Sequence, residues 1–294
     1  MNSIKFIVCA PLFVLLTLSS LQAHARSPGS VSSQDVGLSS PVEGGSRTTY
    51  FDLLRELLPD LQTDATAHRS IPFRSLSEPR KREAVTGDIK FEFRPYRFKS
   101  EGMRLLLLWV SLKADDANEG TPYEGEADVL AVYSLGPRFR LLDALDVKTD
   151  RFTGFWQDRP LFPLDSHNDA FIVYSTHWNA GESYNDLEML FVDAGRLKTI
   201  ASRFLYETQA CGASFNETPS FRAVADAGNK YPKVLVKVRL VKKRDEAACE
   251  HPTRGYTRYF QGLYRWDASK GKYVGSSRQL DSLDKFNEKR VSSP

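Results

Sequence analysis

Apolar and polar residues alternate along most of the chain from Gly87 to Leu280, and short apolar runs interrupt the alternation. A period of two residues is typical of a β-strand with one buried face, and a continuous apolar run is typical of a strand buried on both faces. Segment 88–98 shows the first pattern and segment 103–112 shows the second. The pattern predicts strands at 88–98, 103–112, 129–135, 138–147, 170–178, 187–192, 197–204, 234–241, 256–266 and 273–280.

The predicted strands recur in three groups of similar length. Val110, Val173 and Val238 lie at equivalent positions of the long strands, 63 and 65 residues apart. One further strand precedes each long strand, so each group is a four-stranded antiparallel meander. These preceding strands are 91–98, 152–162 and 221–225.

The repeat predicts an all-β fold of mainly antiparallel meanders, arranged as three four-stranded units. Blades of a β-propeller and sheets of a β-sandwich are both built from such meanders. Three units are fewer than the roughly four blades that a closed propeller needs. An open propeller-like stack and a β-sandwich therefore both fit the pattern.

The region before the first long strand contains one amphipathic helix, and no other substantial helix is predicted. Thr48 or Thr49 can serve as the N-cap, and the apolar residues of 50–61 fall on one face. Pro59 cannot donate a backbone hydrogen bond, so the helix should end near Leu58. The chain thus divides into a signal peptide (1–25), a flexible leader (26–47), the helix with an irregular connection (48–87), a single β domain (88–280) and a C-terminal tail (281–294).

The first 25 residues have the features of a secretory signal peptide. Lys5 supplies a positive charge, residues 6–18 form an apolar run, and Ala23-His24-Ala25 has the small-x-small pattern that signal peptidase accepts. The run is shorter than the roughly 20 residues of a permanent membrane-spanning helix. We therefore expect cleavage after Ala25 and an exported soluble protein, periplasmic or extracellular, with no permanent membrane span.

Cysteine usage predicts one disulfide. Cys9 leaves with the signal peptide, so the mature chain keeps Cys211 and Cys249. Two cysteines in an oxidising compartment most simply pair with each other. Neither lies in a Cys-x-x-Cys motif, and no histidine–cysteine spacing indicates zinc. We therefore expect a structural Cys211–Cys249 disulfide.

The charge balance argues against nucleic acid as a partner. The chain has 40 basic and 37 acidic residues, for a net charge of +3 at pH 7. Proteins that bind nucleic acid usually concentrate basic residues on one element. The densest basic run is Arg80-Lys81-Arg82, and its proline-flanked position favours a solvated linker.

Three polar loops follow the long strands and form the candidate functional surface. Equivalent loops of a repeat leave the same end of each sheet, and long loops on a rigid sheet commonly carry binding and catalytic residues. The loops are residues 114–126, 177–186 and 242–255, and the last of them contains His251.

The first loop resembles a calcium-binding loop only in part. Asp116, Asn118 and Gly120 match the alternating oxygen ligands and the sharp turn of such a loop. No twelve-residue pattern with a terminal bidentate glutamate follows. The main interpretation is a soluble acidic hairpin loop, calcium at Asp116 and Asn118 is the weaker alternative, and no other cofactor is predicted.

The second loop carries a candidate acid–base pair. His177 can pair with Glu182 or Asp186, because imidazole titrates near neutrality and a carboxylate can orient it. The segment Asn179-Ala180-Gly181 also fits a simple turn between two strands, in which His177 and Trp178 pack at a strand end. Both interpretations stay open at the level of the sequence.

Catalytic signatures are absent from the sequence. There is no Gly-x-Ser-x-Gly elbow, no His-Glu-x-x-His, no Gly-rich phosphate loop and no Rossmann fingerprint. Trp178 and Tyr184 can instead stack on a sugar or a peptide. The sequence therefore favours a non-enzymatic role, with ligand-binding residues His177, Trp178, Glu182, Tyr184, Asp186 and His251.

The predicted function is that of an exported, β-rich binding protein of unknown ligand. Its partner would be a protein, a glycan or an envelope component, and not a nucleic acid. One alternative is a secreted hydrolase that uses His177 with Glu182 or Asp186. Another is a structural exported domain whose loops bind nothing.

Overall fold

The computed structural model describes residues 36–42, 47–79, 82–115, 125–135, 139–210, 213–244 and 254–291, which belong to one compact unit. Most of these residues lie in antiparallel strands, and two α-helices accompany them. The all-β prediction is therefore confirmed, with one helix more than predicted. Within the described ranges, no helix is long and apolar enough to cross a membrane.

The first sheet contains six strands: β1 (Phe73–Ser75), β2 (Arg82–Glu83), β3 (Ile89–Ser100), β4 (Met103–Ala114), β5 (Glu126–Ser134) and β6 (Arg140–Asp146). Their order is β2-β1-β6-β5-β4-β3. Strands β3 to β6 form an antiparallel meander, whereas β1 pairs with β6 in parallel. The short strands β1 and β2 lie in the segment predicted as an irregular connection.

The second sheet contains nine strands: β7 (Phe152–Phe155), β8 (Phe162–Pro163), β9 (Asp169–Asn179), β10 (Glu182–Asp193), β11 (Arg196–Ala210), β12 (Ala213–Val224), β13 (Lys233–Arg244), β14 (Tyr256–Asp267) and β15 (Lys272–Ser276). Their order is β15-β14-β13-β12-β11-β10-β9-β7, and β8 also pairs with β9. A 3-10 helix, Trp156–Asp158, lies between β7 and β8.

The three predicted meanders are present, but they do not form three sheets. The first is β3–β6, the second is β7-β9-β10-β11 and the third is β12–β15. Residues 208–210 of β11 pair with residues 213–215 of β12, so this short ladder joins the second and third meanders. The resulting two-sheet arrangement agrees with the sandwich-like alternative.

The predicted N-terminal helix is confirmed as α1 (Tyr50–Leu57), which ends before Pro59. Thr49 caps it through a capping box: the Asp52 carboxylate accepts from the Thr49 N–H at 2.7 Å, and the Thr49 hydroxyl accepts from the Asp52 N–H at 3.3 Å. Residues 36–42, part of the predicted leader, pack against this helix. Val42 is buried there.

A second helix, α2 (Arg278–Val291), takes the place of the end of the last predicted strand. Its first turn is capped by Ser277, whose hydroxyl accepts from the Leu280 N–H at 2.9 Å. Leu280 and Leu283 are buried on one helix face. The predicted strand 273–280 is therefore wrong beyond Ser276, and most of the predicted tail is helical.

Strands β11 and β12 separate beyond their short ladder, and side chains of α2 lie at the separation. The Tyr206 N–H donates to Glu217 at 3.4 Å, and Arg290 donates to the Tyr206 carbonyl at 2.9 Å. The Phe204 carbonyl accepts from the Asn287 side chain at 3.4 Å. These side chains supply the partners that buried backbone groups require.

The buried apolar residues form three clusters. One contains residues of both sheets, a second lies on the α1 side of the first sheet, and a third packs α2 against the second sheet. Val110, Val173 and Val238 each lie in the second strand of their meander and are buried, as their predicted equivalence requires. Each of these valines belongs to a different cluster, so equivalent faces of the three meanders pack against different parts of the protein.

Candidate functional site

The candidate residues of the second predicted loop lie on the β9–β10 hairpin. Strand β9 continues to Asn179 and β10 begins at Glu182, so the turn consists of Ala180 and Gly181 with φ of 46° and 89°. Positive φ at both positions suits a two-residue hairpin turn. The predicted loop 177–186 is therefore wrong, and the simple turn of the alternative is present, but Trp178 is 64% exposed and not packed at the strand end. The ladder holds the candidate side chains in fixed positions.

His177 is opposite Tyr184 in this hairpin, and their rings stack with centroids 4.6 Å apart. The imidazole Nδ1 bonds to the carboxylate of Asp150, which lies on the connection between the two sheets. His177 is thus oriented by Asp150 and not by its predicted partners, Glu182 or Asp186. This pair can hold the ring in one orientation or share a proton.

Glu182 is held by two tyrosines. The hydroxyls of Tyr184 and Tyr206 each donate to one of its carboxylate oxygens. These hydrogen bonds, that from Tyr184 foremost, lower the pKa of Glu182 below its usual value. Glu182 is therefore an ionised hydrogen-bond acceptor, which is a poor starting point for a general acid.

Asp186 and Glu188 follow on the same face of β10. Burial raises the pKa of Asp186, and the nearby Asp150 carboxylate also raises it. Burial raises the pKa of Glu188 to about 7. The face thus holds one carboxyl group, that of Glu188, that can bind a proton near neutrality. Among the described residues, no three His, Cys, Asp or Glu side chains are grouped to hold a metal ion.

A hydrolase in which His177 activates a serine would need that serine within reach of the substrate. Ser175, two residues before His177 on the same strand face, is 2% exposed, and its hydroxyl lies 2.9 Å from that of Thr153. Substrate cannot approach this buried hydroxyl. Ser175 is therefore excluded as a nucleophile that His177 activates.

A groove with a volume of about 580 Å³ opens beside the hairpin turn. Trp178 at its rim is 64% exposed, Phe152 is 50% exposed, and their ring centroids are 5.5 Å apart. Large aromatic rings held on a rigid strand are suited to stack on a flat ligand surface. The groove is lined by Trp178, Gly181, Glu182, Ser183, Glu207, Thr208, Gln209, Ser214, Phe215, Asn216, Arg239, Val241 and Lys243.

Residues of five neighbouring strands form a row across this groove. Trp178 of β9 is opposite Ser183 of β10, and Ser183 is opposite Glu207 of β11. The Asn216 amide of β12 donates to Glu207 at 2.9 Å, and Asn216 is opposite Val241 of β13. Because strand ladders and the Glu207–Asn216 hydrogen bond hold these positions, a ligand meets a preformed array of polar groups beside the aromatic rim.

The acidic side chains of the groove accept hydrogen bonds from neighbouring side chains, whereas its basic side chains have no acidic partner among the described residues. Glu182 accepts from two tyrosines, and Glu207 accepts from Asn216. Burial also raises the pKa of Glu207. Arg239 and Lys243 are exposed and form no ion pair within the part of the chain that the structure describes. Arg239 and Lys243 therefore offer two positive charges to a ligand, and the ionised Glu182 on β10 keeps a negative charge in the same groove.

The ends of β9 and β13 meet at this groove, since Trp178 and Lys243 both line it. This agrees with the predicted common end of the second and third repeats. The candidate residues Asp116, Asn118 and His251 themselves lie outside the described residues, so the calcium alternative and the role of His251 stay predictions.

The end of β4 is connected to the same region by a short chain of contacts. Lys113 pairs with Glu126 at 3.1 Å, and Glu126 also pairs with Lys148. Two residues after Lys148, Asp150 bonds to His177. The described end of β4 is thus linked to His177 through Glu126, Lys148 and Asp150.

The strands that flank the predicted disulfide are also neighbours. Cys211 and Cys249 lie outside the described residues, but Ala213 at the start of β12 pairs with Arg244 at the end of β13. We expect peptide mapping of the non-reduced mature protein by mass spectrometry to show one Cys211–Cys249 linkage. Two titratable thiols per unfolded chain would contradict the disulfide.

Sequence reasoning missed Asp150, Glu207, Arg239 and Lys243. One signal was available, because basic residues alternate with Val and Leu along β13, which indicates a strand with one basic face. The contacts of Asp150 and Glu207 depend on how strands from different parts of the chain pair.

No protein-family model, curated protein or solved structure matches this chain. The function is therefore inferred from the groove and its surroundings.

Proposed function

We propose that this protein is an exported binding protein whose ligand occupies the groove beside Trp178. The observation that carries the proposal is the exposed Trp178, with the Phe152 ring beside it, at the rim of a groove with a volume of about 580 Å³. Export is supported by the signal-peptide pattern of residues 1–25.

The chemistry of the lining favours a ligand with both a flat face and many polar groups. Trp178 offers the stacking surface, while Ser183, Asn216 and Glu207 offer hydroxyl, amide and carboxylate groups in one row. A sugar ring combines a flat apolar face with a rim of hydroxyl groups, so a glycan fits this lining better than an apolar ligand does.

Replacing Trp178 with alanine should weaken ligand binding by at least about tenfold, because an exposed aromatic anchor commonly dominates a binding site. The ligand would first be identified by screening the purified mature protein against glycan and peptide arrays, and affinity would then be measured by titration calorimetry. Met103→Ala is the matched control, since Met103 is 54% exposed and lies at the β3–β4 turn, away from the groove.

Two results would contradict the proposed function. Unchanged affinity of Trp178→Ala for every ligand found by the screen would remove the groove from the binding site. Turnover of ester or glycoside substrates that is lost in a folded His177→Ala variant would favour the hydrolase alternative instead.

A further inference from the structure

The outward face of β12, β13 and β14 carries basic residues that no described acid neutralises. On β13, Val236 and Val238 are buried, whereas the alternate residues Lys237, Arg239 and Lys243 are exposed. We call the exposed side of these three strands the basic face. Its charges lie along one strand over roughly 20 Å, given about 3.4 Å per residue.

Neutral polar side chains flank these cations on both neighbouring strands. Arg239 is opposite Thr218 of β12 and Tyr259 of β14, and Lys237 is opposite Ser220 of β12. Tyr259 is 70% exposed, and no acidic residue occupies these rows. The basic face therefore combines hydroxyl groups, one further exposed aromatic ring and positive charge.

At the end of β13 and β14 away from the groove, basic residues pair with an acidic residue. Lys233 and Arg265 both pair with Asp226, at 2.9 Å and 2.7 Å. The hydrogen bond from Arg265 is the main reason why the pKa of Asp226 falls to about 2. Lys237 and Arg239 have no such partner within the described ranges. The basic residues without an acidic partner among the described residues thus lie towards the groove end of β13.

The basic face is continuous with the groove, because Arg239 and Lys243 line both. We propose that the ligand is an acidic polysaccharide, which binds as an extended chain through the groove and along the basic face. This inference rests on the proposed function and adds the chemical class of the ligand. Trp178 would stack on one sugar ring, while Lys237, Arg239 and Lys243 would meet carboxylate or sulfate groups of the following sugars.

The surface fits a polysaccharide better than it fits the other common polyanions. Proteins that hold single-stranded nucleic acid stack successive bases on aromatic side chains, whereas on the basic face Tyr259 is the one large exposed ring that the structure describes. A lipid surface cannot enter the groove, where Trp178 and the polar row lie. Sugar hydroxyls, by contrast, can pair with Thr218, Ser220 and Asn216.

The test measures affinity of the purified mature protein for polysaccharides that differ only in charge. Polygalacturonate is compared with its methyl ester, and dextran sulfate with dextran; single-stranded DNA and vesicles of anionic lipid are included. We expect the charged forms to bind at least about tenfold more tightly than their neutral counterparts at 50 mM salt.

The variant for this test is the triple substitution Lys237→Gln, Arg239→Gln, Lys243→Gln. It should weaken binding of the charged polysaccharides by about tenfold or more and reduce the slope of log affinity against log salt by about two. A control protein with Arg104→Gln, Arg278→Gln and Lys285→Gln loses the same charge from exposed positions elsewhere and should bind like the wild type. Equal melting temperatures would show that both variants are folded.

The outcomes separate this inference from the proposed function. If a neutral glycan binds, Trp178→Ala abolishes that binding and the triple substitution has no effect, the groove is a binding site but the ligand is not acidic. Equal or tighter binding of DNA or anionic vesicles that the triple substitution abolishes would assign the basic face to another class of partner. Absence of binding to every acidic polysaccharide would also overturn the inference.

Discussion

Replacing Glu217 with alanine is expected to lower the free energy of unfolding by about 3–5 kcal/mol, because it leaves a buried guanidinium without its counter-ion. The Glu217 side chain is fully buried, and it accepts from Arg290 at 2.6 Å and from Asn287 at 3.0 Å. It also accepts from the Tyr206 backbone N–H. One substitution thus removes the acceptor for three donors where α2 meets β11 and β12.

Three aromatic rings surround the Arg290 guanidinium beside Glu217. Its guanidinium lies 4.8 Å from the ring centroid of Tyr206, 4.7 Å from that of Phe215 and 4.8 Å from that of Phe286. While α2 stays docked, these rings keep water away from Arg290, so its positive charge is buried without a counter-ion. We expect the C-terminal turn of α2 to detach before the rest of the protein unfolds.

Urea unfolding followed by tryptophan fluorescence measures the decrease in the free energy of unfolding of Glu217→Ala. Lys285→Ala, on the exposed side of the same helix, is the control and should change stability by less than about 0.5 kcal/mol. The double variant Glu217→Leu, Arg290→Met removes both charges and should be more stable than Glu217→Ala. A loss below about 1 kcal/mol in Glu217→Ala would show that this pair does not hold α2 in place.

The strands could be predicted because their inner residues are apolar at every second position, as Val234, Val236 and Val238 of β13 show. The same rule explains why the β9–β10 hairpin is wrongly predicted as a loop at 177–186. Near the turn this hairpin extends beyond the buried core and has polar residues on both faces, so its sequence resembles a loop. Its backbone ladder nevertheless continues, because ladder hydrogen bonds do not depend on apolar side chains.

Helix α2 could not be predicted from apolar spacing because one of its buried positions is polar. Leu280 and Leu283 follow the helical period, but the next fully buried residue is Asn287. The Asn287 side chain is needed for the Phe204 carbonyl and for Glu217, which are contacts between distant parts of the chain. A polar residue with such a role resembles a surface residue in the sequence.

Sequence reasoning identified Trp178 and His177 but not the groups around them. Asp150 reaches His177 only because the chain crosses from the first sheet to the second between β6 and β7. Arg239 and Lys243 reach Trp178 only because the short β11–β12 ladder joins two meanders. Neither connection has a local sequence signal.

Replacing Glu188 with glutamine should change the pH dependence of the free energy of unfolding by up to about 3 kcal/mol, because glutamine does not titrate. The Glu188 carboxyl lies on β10 opposite Val173 and Ser202. Its Oε2 atom is buried and has no hydrogen-bond partner among the described residues. Burial raises its pKa from 4.5 to about 7, and the Asp186 carboxylate adds to the shift.

The sign of the effect follows from the protons bound in each state. Between pH 4.5 and 7 the folded protein keeps a proton on Glu188 that the unfolded chain has released, because the folded pKa is the higher one. The stability contributed by protonated Glu188 is therefore fully present below about pH 4.5 and is lost as the pH rises through about 7. Glutamine does not titrate, so Glu188→Gln lacks this loss.

We therefore expect the stability of Glu188→Gln relative to the wild type to increase by up to about 3 kcal/mol between pH 4.5 and pH 8. Urea unfolding at several pH values measures this difference. Asp146, whose pKa burial also raises to about 7, titrates in both proteins and therefore cancels. Glu288→Gln, at an exposed position of α2, should follow the wild type at every pH. Parallel curves for Glu188→Gln and the wild type would mean that the Glu188 carboxyl is ionised in the folded protein at neutral pH and that its surroundings stabilise the charge.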